Sequence, residues 1–220
     1  MSIFLINPYI YQVTDTPVEQ IANAEAMSFN GTDAYINTNY SISSGNKTIS
    51  FWFNSSYAGY QCIMGNTNDS FILGTFSSQI PTPNGISYFQ GSSGKQFGVT
   101  ASVTDEFADG IWHHFVYTYD GNSKIYIDRT ERTISYKSGT LSSDDIVVIS
   151  DLGLGLNRPS YPKYSGKLDE VAIFNTALSA SKIQQIYDAT AVVNGVPQTA
   201  NLFTGGLSSS LVYWNRMGDS

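Results

Sequence analysis

The sequence has few charged residues, and acidic residues outnumber basic ones. Only 13% of the 220 residues are Asp, Glu, Lys or Arg, and 18 acidic against 11 basic residues give a formal net charge of −7. Binding to a phosphate backbone or to an anionic lipid surface depends on clustered Lys and Arg. The composition therefore argues against nucleic acid as a partner, and it is typical of an extracellular or particle-bound protein.

Cysteine and long apolar runs are also scarce. Cys62 is the only cysteine, so an internal disulfide is impossible, and its setting in YQCIMG predicts a small core residue. No run approaches the ~20 apolar residues of a membrane span, so membrane insertion is not expected. The opening MSIFLINPYIYQV lacks the basic start of a secretory signal peptide.

Paired carboxylates that could hydrolyse a glycosidic bond are missing as well. Retaining glucanases place two Glu on one face of a strand, so that the carboxyl groups lie ~5 Å apart. No two Glu of this chain have the i, i+2 or i, i+4 spacing that this needs; the five are Glu19, Glu25, Glu106, Glu131 and Glu170. Because the G-x-S-x-G, P-loop and H-E-x-x-H motifs are also missing, we predict that the protein is not an enzyme.

Aromatic residues, by contrast, are abundant, and they favour strands. The chain has 15 Tyr and 12 Phe, and residues 25 to 175 consist of short apolar or alternating runs separated by turn residues. The runs IWHHFVYTYD and KIYIDRT flank a Gly-bearing turn and predict a hairpin, and Asn30-Gly31 is a second pair typical of hairpin turns. One helix is predicted near residues 179–187, with Ser179 as its N-cap.

Four blocks of sequence resemble one family of domains. The blocks AMSFNGTDAYINT, TISFWFN, DGIWHHFVYTYDGNSKIYIDRT and SGKLDEVAIFNTALSASKIQQIY are similar, in this order, to the laminin-G-like branch of the concanavalin A-like lectins and glucanases. The resemblance implies an all-β, two-sheet antiparallel jelly-roll sandwich with one short C-terminal helix and extended termini. We expect this domain at residues 25–188, an N-terminal arm at 1–24 and a loosely ordered C-terminal tail at 189–220.

The only two histidines, His113 and His114, are adjacent. Neighbouring side chains of an extended strand point to opposite faces of the sheet, so the two rings cannot bind one ion together. We therefore predict a structural role for both, in which each ring is hydrogen-bonded to a nearby backbone or Tyr group.

A calcium site is implied by the family resemblance. It points to the Asn30-Gly31 turn and to Asp169 in KLDEV as the groups that would bind Ca²⁺ and join the first and last core strands. Carboxylate and carbonyl oxygens suit this hard cation. The alternative is that Asp169 only ends a strand or accepts hydrogen bonds from backbone amides.

Two pairs of loop tyrosines are candidate ligand-binding residues. Tyr161 and Tyr164 flank Lys163, and Tyr57 and Tyr60 flank Gly59. An exposed Tyr beside amide and hydroxyl groups can stack on a sugar ring. The alternative is that these rings only pack within their loops.

The closing stretch LVYWNRMGD is similar to the strand that usually opens such domains, so the strand order looks permuted. This strand could pair within its own chain, pair with a neighbouring subunit, or begin a further repeat. The two ends of the sequence also resemble structural proteins of bacteriophages and marine viruses.

Two functions follow from these patterns. The first is a non-enzymatic virion structural or adhesion protein, such as a capsid decoration, head fibre or tail component, whose partners are other virion or capsid proteins and further copies of itself. The second is a free carbohydrate-binding lectin module that recognises glycans such as those of a host surface. The two are compatible, because a particle module can also bind sugars.

Overall fold

The computed structural model describes residues 17–22, 25–66, 69–74, 85–90, 95–102, 106–138, 152–155 and 162–217. These residues form two seven-stranded sheets, two small two-stranded sheets and one helix. Every strand pair in the named strands is antiparallel. The predicted all-β sandwich of the jelly-roll type, with one short C-terminal helix, is confirmed.

The first sheet runs in the order β11-β10-β9-β4-β14-β18, and β2 also pairs with β14. Its strands are β2 (Met27–Asn30), β4 (Lys47–Asn54), β9 (Trp112–Tyr119), β10 (Ser123–Ile127), β11 (Thr130–Arg132), β14 (Ser165–Phe174) and β18 (Leu211–Asn215).

The second sheet runs in the order β12-β8-β7-β6-β5-β13-β3. Its strands are β3 (Ile36–Asn37), β5 (Gln61–Gly65), β6 (Asp69–Gly74), β7 (Gly85–Gln90), β8 (Lys95–Thr100), β12 (Ser135–Ser138) and β13 (Gly153–Leu154). The remaining elements are β1 (Glu19–Ile21), which pairs with β17 (Thr199–Asn201), the hairpin of β15 (Val192–Val193) and β16 (Val196–Pro197), and helix α1 (Ala180–Ala189).

The main core lies between the two sheets and is built by alternation along the strands. In β4, Ile49, Phe51 and Phe53 face the second sheet, whereas Trp52 points to the opposite side. Such fully buried side chains contribute roughly 1.5–3 kcal/mol each. Cys62 lies fully buried in β5, as predicted for a small core residue.

A second apolar cluster covers the outer face of the first sheet. Helix α1 places Ile183 and Ile186 on this face, where they pack near Phe174 of β14. The helix begins as predicted, because the Ser179 hydroxyl accepts a hydrogen bond from the Lys182 amide at 3.3 Å. The central strands of the first sheet are therefore buried on both faces.

Residues 189–217 do not form the loosely ordered tail that we predicted. They contain β15, β16, β17 and β18, and the segment packs against helix α1 and β14. The strand β18 pairs with β14 within the same chain, opposite residues 171–174. The LVYWN strand therefore completes its own domain, which decides among the three alternatives that the sequence left open.

The Asn30-Gly31 pair does not turn a hairpin either. β2 belongs to the first sheet and β3 to the second, so the chain crosses between sheets after this pair. The Asn30 side-chain oxygen accepts hydrogen bonds from the amides of Thr32, Asp33 and Ala34, which fixes this local turn. The strand that follows is thereby redirected instead of folding back on β2.

Candidate functional site

The two histidines lie on opposite faces of β9, as predicted from strand geometry. His113 packs against Phe53 and Phe107 on the side of the main core, whereas His114 stacks on Trp52 on the outer side. No group of three or more His, Cys, Asp or Glu that could hold a metal ion is present among the described residues. The histidine pair is therefore not a shared ligand set in this structure.

His113 is held by acidic side chains, not by the backbone or Tyr groups that we predicted. Its Nδ1 lies 2.8 Å from Asp128 Oδ2, and its Nε2 lies 3.5 Å from Asp109 Oδ1. Burial acts to lower the pKa of His113, but the hydrogen bond and charge of Asp128, together with Asp109, outweigh it and raise that pKa. Asp128 also accepts the amide of His114 at 2.8 Å, so it ties the β10–β11 turn to β9.

His114 occupies an apolar and fully buried position. Its Nε2 lies 2.8 Å from the Ser50 hydroxyl, and its ring stacks on Trp52, which in turn stacks on Tyr187 of helix α1. Burial lowers the pKa of His114 to about 4, and the charge of Asp128 opposes this only in part. A neutral imidazole that is sealed between a sheet and a helix has no access to a substrate, so its role is structural.

The predicted tyrosines are placed very differently from one another. The Tyr57 ring is 49% exposed and covers the position where a side chain at Gly59 would stand, whereas Tyr60 is only 9% exposed. Tyr164 is fully buried, and its hydroxyl donates to the carbonyls of Asn54 and Lys167 at 2.8 and 3.0 Å.

Tyr161 lies outside the described residues. Tyr164 is a core residue in this structure, and a buried ring cannot stack on a sugar. Tyr60 has very little open surface. Of the three described tyrosines, Tyr57 alone presents a substantial exposed ring.

The three residues expected to bind calcium do not come together. Asn30 faces Ser165 across the β2–β14 pair, and Asp169 lies four residues further along β14, which is about 13 Å away. The Asn30 oxygen already accepts three amides, and Gly31 donates its amide to the Tyr164 carbonyl at 3.0 Å. Asp169 is fully buried and accepts the Glu170 amide, which agrees with the alternative reading. This donor set does not fit one cation.

Glu170 is the other buried acid of the KLDEV segment. One carboxylate oxygen accepts the Thr199 hydroxyl at 2.7 Å, and the other accepts the Trp214 indole N–H at 3.2 Å. Its backbone takes a positive φ of 49°, at an irregularity in the β4–β14 register. Glu170 therefore anchors the C-terminal segment to the sheet, a role that only the fold reveals.

A cleft of about 230 Å³ opens at the end of the first sheet where β4 begins and β14 ends. Its exposed rim carries two hydroxyl and two amide side chains, those of Ser43, Ser44, Asn46 and Asn175. Tyr40 and the 42% exposed Val212 supply apolar surface. The cleft thus combines an aromatic ring, a small apolar patch, several neutral polar groups and the Lys47 side chain.

The loop that forms one wall of this cleft is fixed by hydrogen bonds. Leu152 donates its amide to the Tyr40 carbonyl at 2.8 Å, and Lys47 Nζ donates to the Ser43 carbonyl at 2.6 Å. The Ile42 side chain is buried in the main core, and the Tyr40 ring packs 5.1 Å from that of Tyr213. The wall is therefore preformed, which lowers the entropic cost of binding a ligand.

Sequence reasoning missed this cleft because its residues are far apart in the chain. They come from residues 40–47, 173–175 and 212. Only the pairing of β14 with both β4 and β18 brings these segments together. No local motif joins them, so no pattern in the sequence indicates the site.

These features define the class of the protein: a lectin-like antiparallel β-sandwich with a preformed polar cleft at one end. The chain belongs to the concanavalin A-like lectin/glucanases superfamily, whose laminin-G-like family model matches residues 30–184. No curated protein matches the chain. Within the described residues, no helix is long and apolar enough to cross a membrane.

Solved structures with a similar fold share little sequence with this chain. A heptameric SAP-like pentraxin from Limulus polyphemus is 12% identical, with a TM-score of 0.52, over 78% of this chain and 87% of that chain. Domain 4 of AbnA, an extracellular arabinanase of Geobacillus stearothermophilus in complex with arabinotriose, is 17% identical, with a TM-score of 0.53, over 79% and 81%. The LG1-3 region of the laminin alpha2 chain is 13% identical, with a TM-score of 0.50, over 91% and 30%. At these identities, the likeness shows the fold.

Proposed function

We propose that the protein is a non-enzymatic carbohydrate-binding module that holds one sugar ring in the cleft beside Tyr40. The cleft carries this proposal. Its volume of about 230 Å³ lies below the ~300 Å³ of typical drug-sized sites, which suits a single ring better than an oligosaccharide.

The chemistry of the lining supports a sugar as the ligand. The side chains of Asn46 and Asn175 offer both donors and acceptors, and the hydroxyls of Ser43 and Ser44 can do either, which matches the mixed polarity of sugar hydroxyls. Burial raises the pKa of Tyr40, so its hydroxyl stays protonated and can donate a hydrogen bond. The described lining contains no carboxylate, so the cleft lacks the acid and nucleophile that glycosidic hydrolysis needs.

The fold comparison adds support of a general kind. Domain 4 of the Geobacillus arabinanase has a sandwich of this type and was solved in complex with arabinotriose. This fold can therefore carry a carbohydrate site, although the identity of 17% does not locate the site in the present chain.

The test is a binding titration that is read residue by residue. Under NMR titration with a panel of monosaccharides, we expect the backbone and side-chain amides of Asn46 and Asn175 to shift, and the double variant Asn46→Ala/Asn175→Ala to lose at least tenfold in affinity. Both side chains are exposed, so the variant should fold normally.

Tyr57→Ala is the matched control, because Tyr57 follows the end of β4 at Asn54, and this end lies about 23 Å from the end at Lys47 beside the cleft. If Tyr57→Ala abolishes binding and the Asn46 and Asn175 variant does not, the site lies at the sequence-predicted tyrosine instead. If no sugar shifts any cleft residue, the proposed function is wrong.

A second candidate function is assembly into a virion or similar extracellular particle, through contact with further copies of the chain or with capsid proteins. Its support is the apolar surface of the C-terminal segment, where Phe203 is 69% exposed and Val192 and Val193 are more than 40% exposed. Contiguous exposed apolar patches are typical of contact surfaces, and the second candidate function requires these side chains to form such a patch. Sedimentation velocity of the wild type and of Phe203→Ser tests it: we expect an oligomer that the substitution weakens, and a monomer at all concentrations that does not bind particles would contradict it.

A further inference from the structure

Val212 is an exposed aliphatic side chain in a cleft whose exposed rim is otherwise mostly polar. It is 42% exposed in the edge strand β18 and lines the cleft beside Tyr40 and Asn175. The other aliphatic lining residues, Ile42 and Ile173, are almost fully buried and close the base of the cleft. A ligand that enters the cleft can therefore bury apolar surface mainly against Val212 and the Tyr40 ring.

An ordinary hexose can stack the C–H face of its ring on Tyr40, but it has no apolar edge to place against Val212. Its edges are hydroxyl groups, which lose hydrogen bonds to water when they are placed against Val212. A ring substituent that ends in a methyl group would bury that methyl instead, which contributes ~0.8 kcal/mol, equivalent to about fourfold in affinity.

The polar groups beside Val212 favour a substituent that can form hydrogen bonds as well as bury a methyl group. The amide side chain of Asn175 and the side chains of Ser43 and Asn46 offer donors and acceptors beside the apolar patch. An acetamido group carries one N–H, one carbonyl and one methyl, so it can satisfy both kinds of surface together. A 6-deoxy sugar supplies only the methyl.

The charge of the lining residues also favours an acetamido group. Among the described residues that line the cleft, Lys47 is the only charged one and none is acidic, so nothing there would attract the ammonium group of an unacetylated amino sugar. Acetylation removes that positive charge and replaces it with a neutral amide. The cleft should therefore bind the N-acetylated sugar more tightly than the amino sugar that carries a free ammonium group.

We infer that the cleft is a site for N-acetylated hexosamines, with the acetamido methyl against Val212 and the acetamido amide bonded to the adjacent Asn and Ser side chains. This inference rests on the proposed function and specifies its ligand class. Val212 then contributes the part of the selectivity that comes from the acetamido methyl, whereas Asn46 and Asn175 bind the polar groups of the sugar.

The experiment compares matched sugars on the wild-type chain by the same NMR titration. We expect N-acetylglucosamine or N-acetylgalactosamine to bind about fourfold to tenfold more tightly than glucose or galactose, and glucosamine to bind most weakly. Hexose binding that is as tight as that of the N-acetylated sugar, or tighter binding of the 6-deoxy sugar fucose, would overturn the inference and leave the proposed function standing. No shift at the cleft with any of these sugars would overturn the proposed function as well.

A pair of nearly isosteric variants locates the selectivity. Val212→Thr replaces one methyl with a hydroxyl, so the preference for the N-acetylated sugar over its parent hexose should fall by about fourfold, the share that the methyl contact contributes. Val193→Thr is the control, because Val193 is also exposed, at 46%, but lies in the β15–β16 hairpin and does not line the cleft. An unchanged preference in Val212→Thr would show that the acetamido group lies elsewhere.

Discussion

Protonation of His114 should destabilise the folded protein, because the ring lies buried in a stack of aromatic side chains. The His114 ring lies on the outer side of the sheet, where it stacks on Trp52 and forms a hydrogen bond through Nε2 to Ser50. Its buried Nδ1 has no hydrogen-bond partner among the described residues. A charged imidazolium there would carry an unsatisfied N–H in an apolar setting. Asp128 is the one group identified as favouring that charge, and it offsets only part of the cost.

The sign and size of the effect follow from the two pKa values. The unfolded chain takes up the proton near pH 6.5, whereas burial lowers the pKa of folded His114 to about 4. The contribution of neutral His114 to the free energy of unfolding is therefore fully present above pH 6.5, and it is lost as the pH falls from 6.5 towards 4. At pH 5 the loss amounts to about 2 kcal/mol, since each pH unit in this window contributes ~1.36 kcal/mol.

His113 should respond in the opposite direction. Because its folded pKa is raised, the stability that it contributes is present below its unfolded pKa and is lost as the pH rises through the folded pKa. The adjacent histidines therefore provide a matched pair within one strand, and a substitution at each should change the pH dependence with opposite sign.

The assay is urea unfolding at pH 7.5 and at pH 5 of the wild type, His114→Gln and His113→Gln. The free energy of unfolding of His114→Gln should fall by about 2 kcal/mol less than that of the wild type between the two pH values, and that of His113→Gln should fall by more. If His114→Gln does not fold, NMR titration of the wild-type histidine ring gives the pKa directly. Parallel falls in all three proteins, or a measured pKa of His114 near 6.5, would refute the reasoning.

Three further predictions concern the core and the metal. Tyr164→Phe should lose about 1–3 kcal/mol of stability in urea unfolding, because two partly buried carbonyls lose the hydroxyl of a fully buried ring as their donor, whereas Tyr57→Phe should be neutral. Gly155→Ala should cost about 1–3 kcal/mol more than Gly206→Ala, because both glycines have a φ of 71° but only the first would push a methyl group into the Phe29 ring. Addition of EDTA should leave the melting temperature unchanged, because the predicted calcium ligands do not form one site.

Each of these has an outcome that contradicts it. A neutral Tyr164→Phe would mean that its hydroxyl bonds are not formed in solution. Equal losses for the two glycine variants would show that backbone strain, and not the contact with Phe29, decides the cost. A lower melting temperature in EDTA that Ca²⁺ restores would show that the protein binds calcium through ligands other than those that we named.

The sequence-based predictions were correct where the predicted feature depends only on residues that are close together in the chain. Alternation in KTISFWFN and IWHHFVYTYD placed side chains on the correct faces, because the period of a strand is independent of its partners. The Ser179 cap is equally local, since its hydroxyl reaches an amide only three residues away. The hairpin expected at Asn30-Gly31 was wrong, because the partner of the next strand lies in the other sheet.

The candidate sites were harder to predict, because exposure is a property of the packed molecule. Nothing in SYPKYSG reveals that the Tyr164 ring is buried against Phe29 and bonded to the Asn54 carbonyl. Likewise, the residues of the cleft share no motif, and Glu170 gives no local sign that it will bond Thr199 and Trp214.

The sequence by itself determined the class of the fold, the faces of the central strands, the helix that begins after Ser179 and the opposite orientations of His113 and His114. These depend on short-range alternation, capping and composition. The tertiary structure alone decided that β18 completes the sheet of its own chain, that Tyr164 is core and Tyr57 surface, and that three distant segments enclose a polar cleft. Long-range strand pairing decides these features, and it depends on which partners bury the most apolar surface together, which no local pattern specifies.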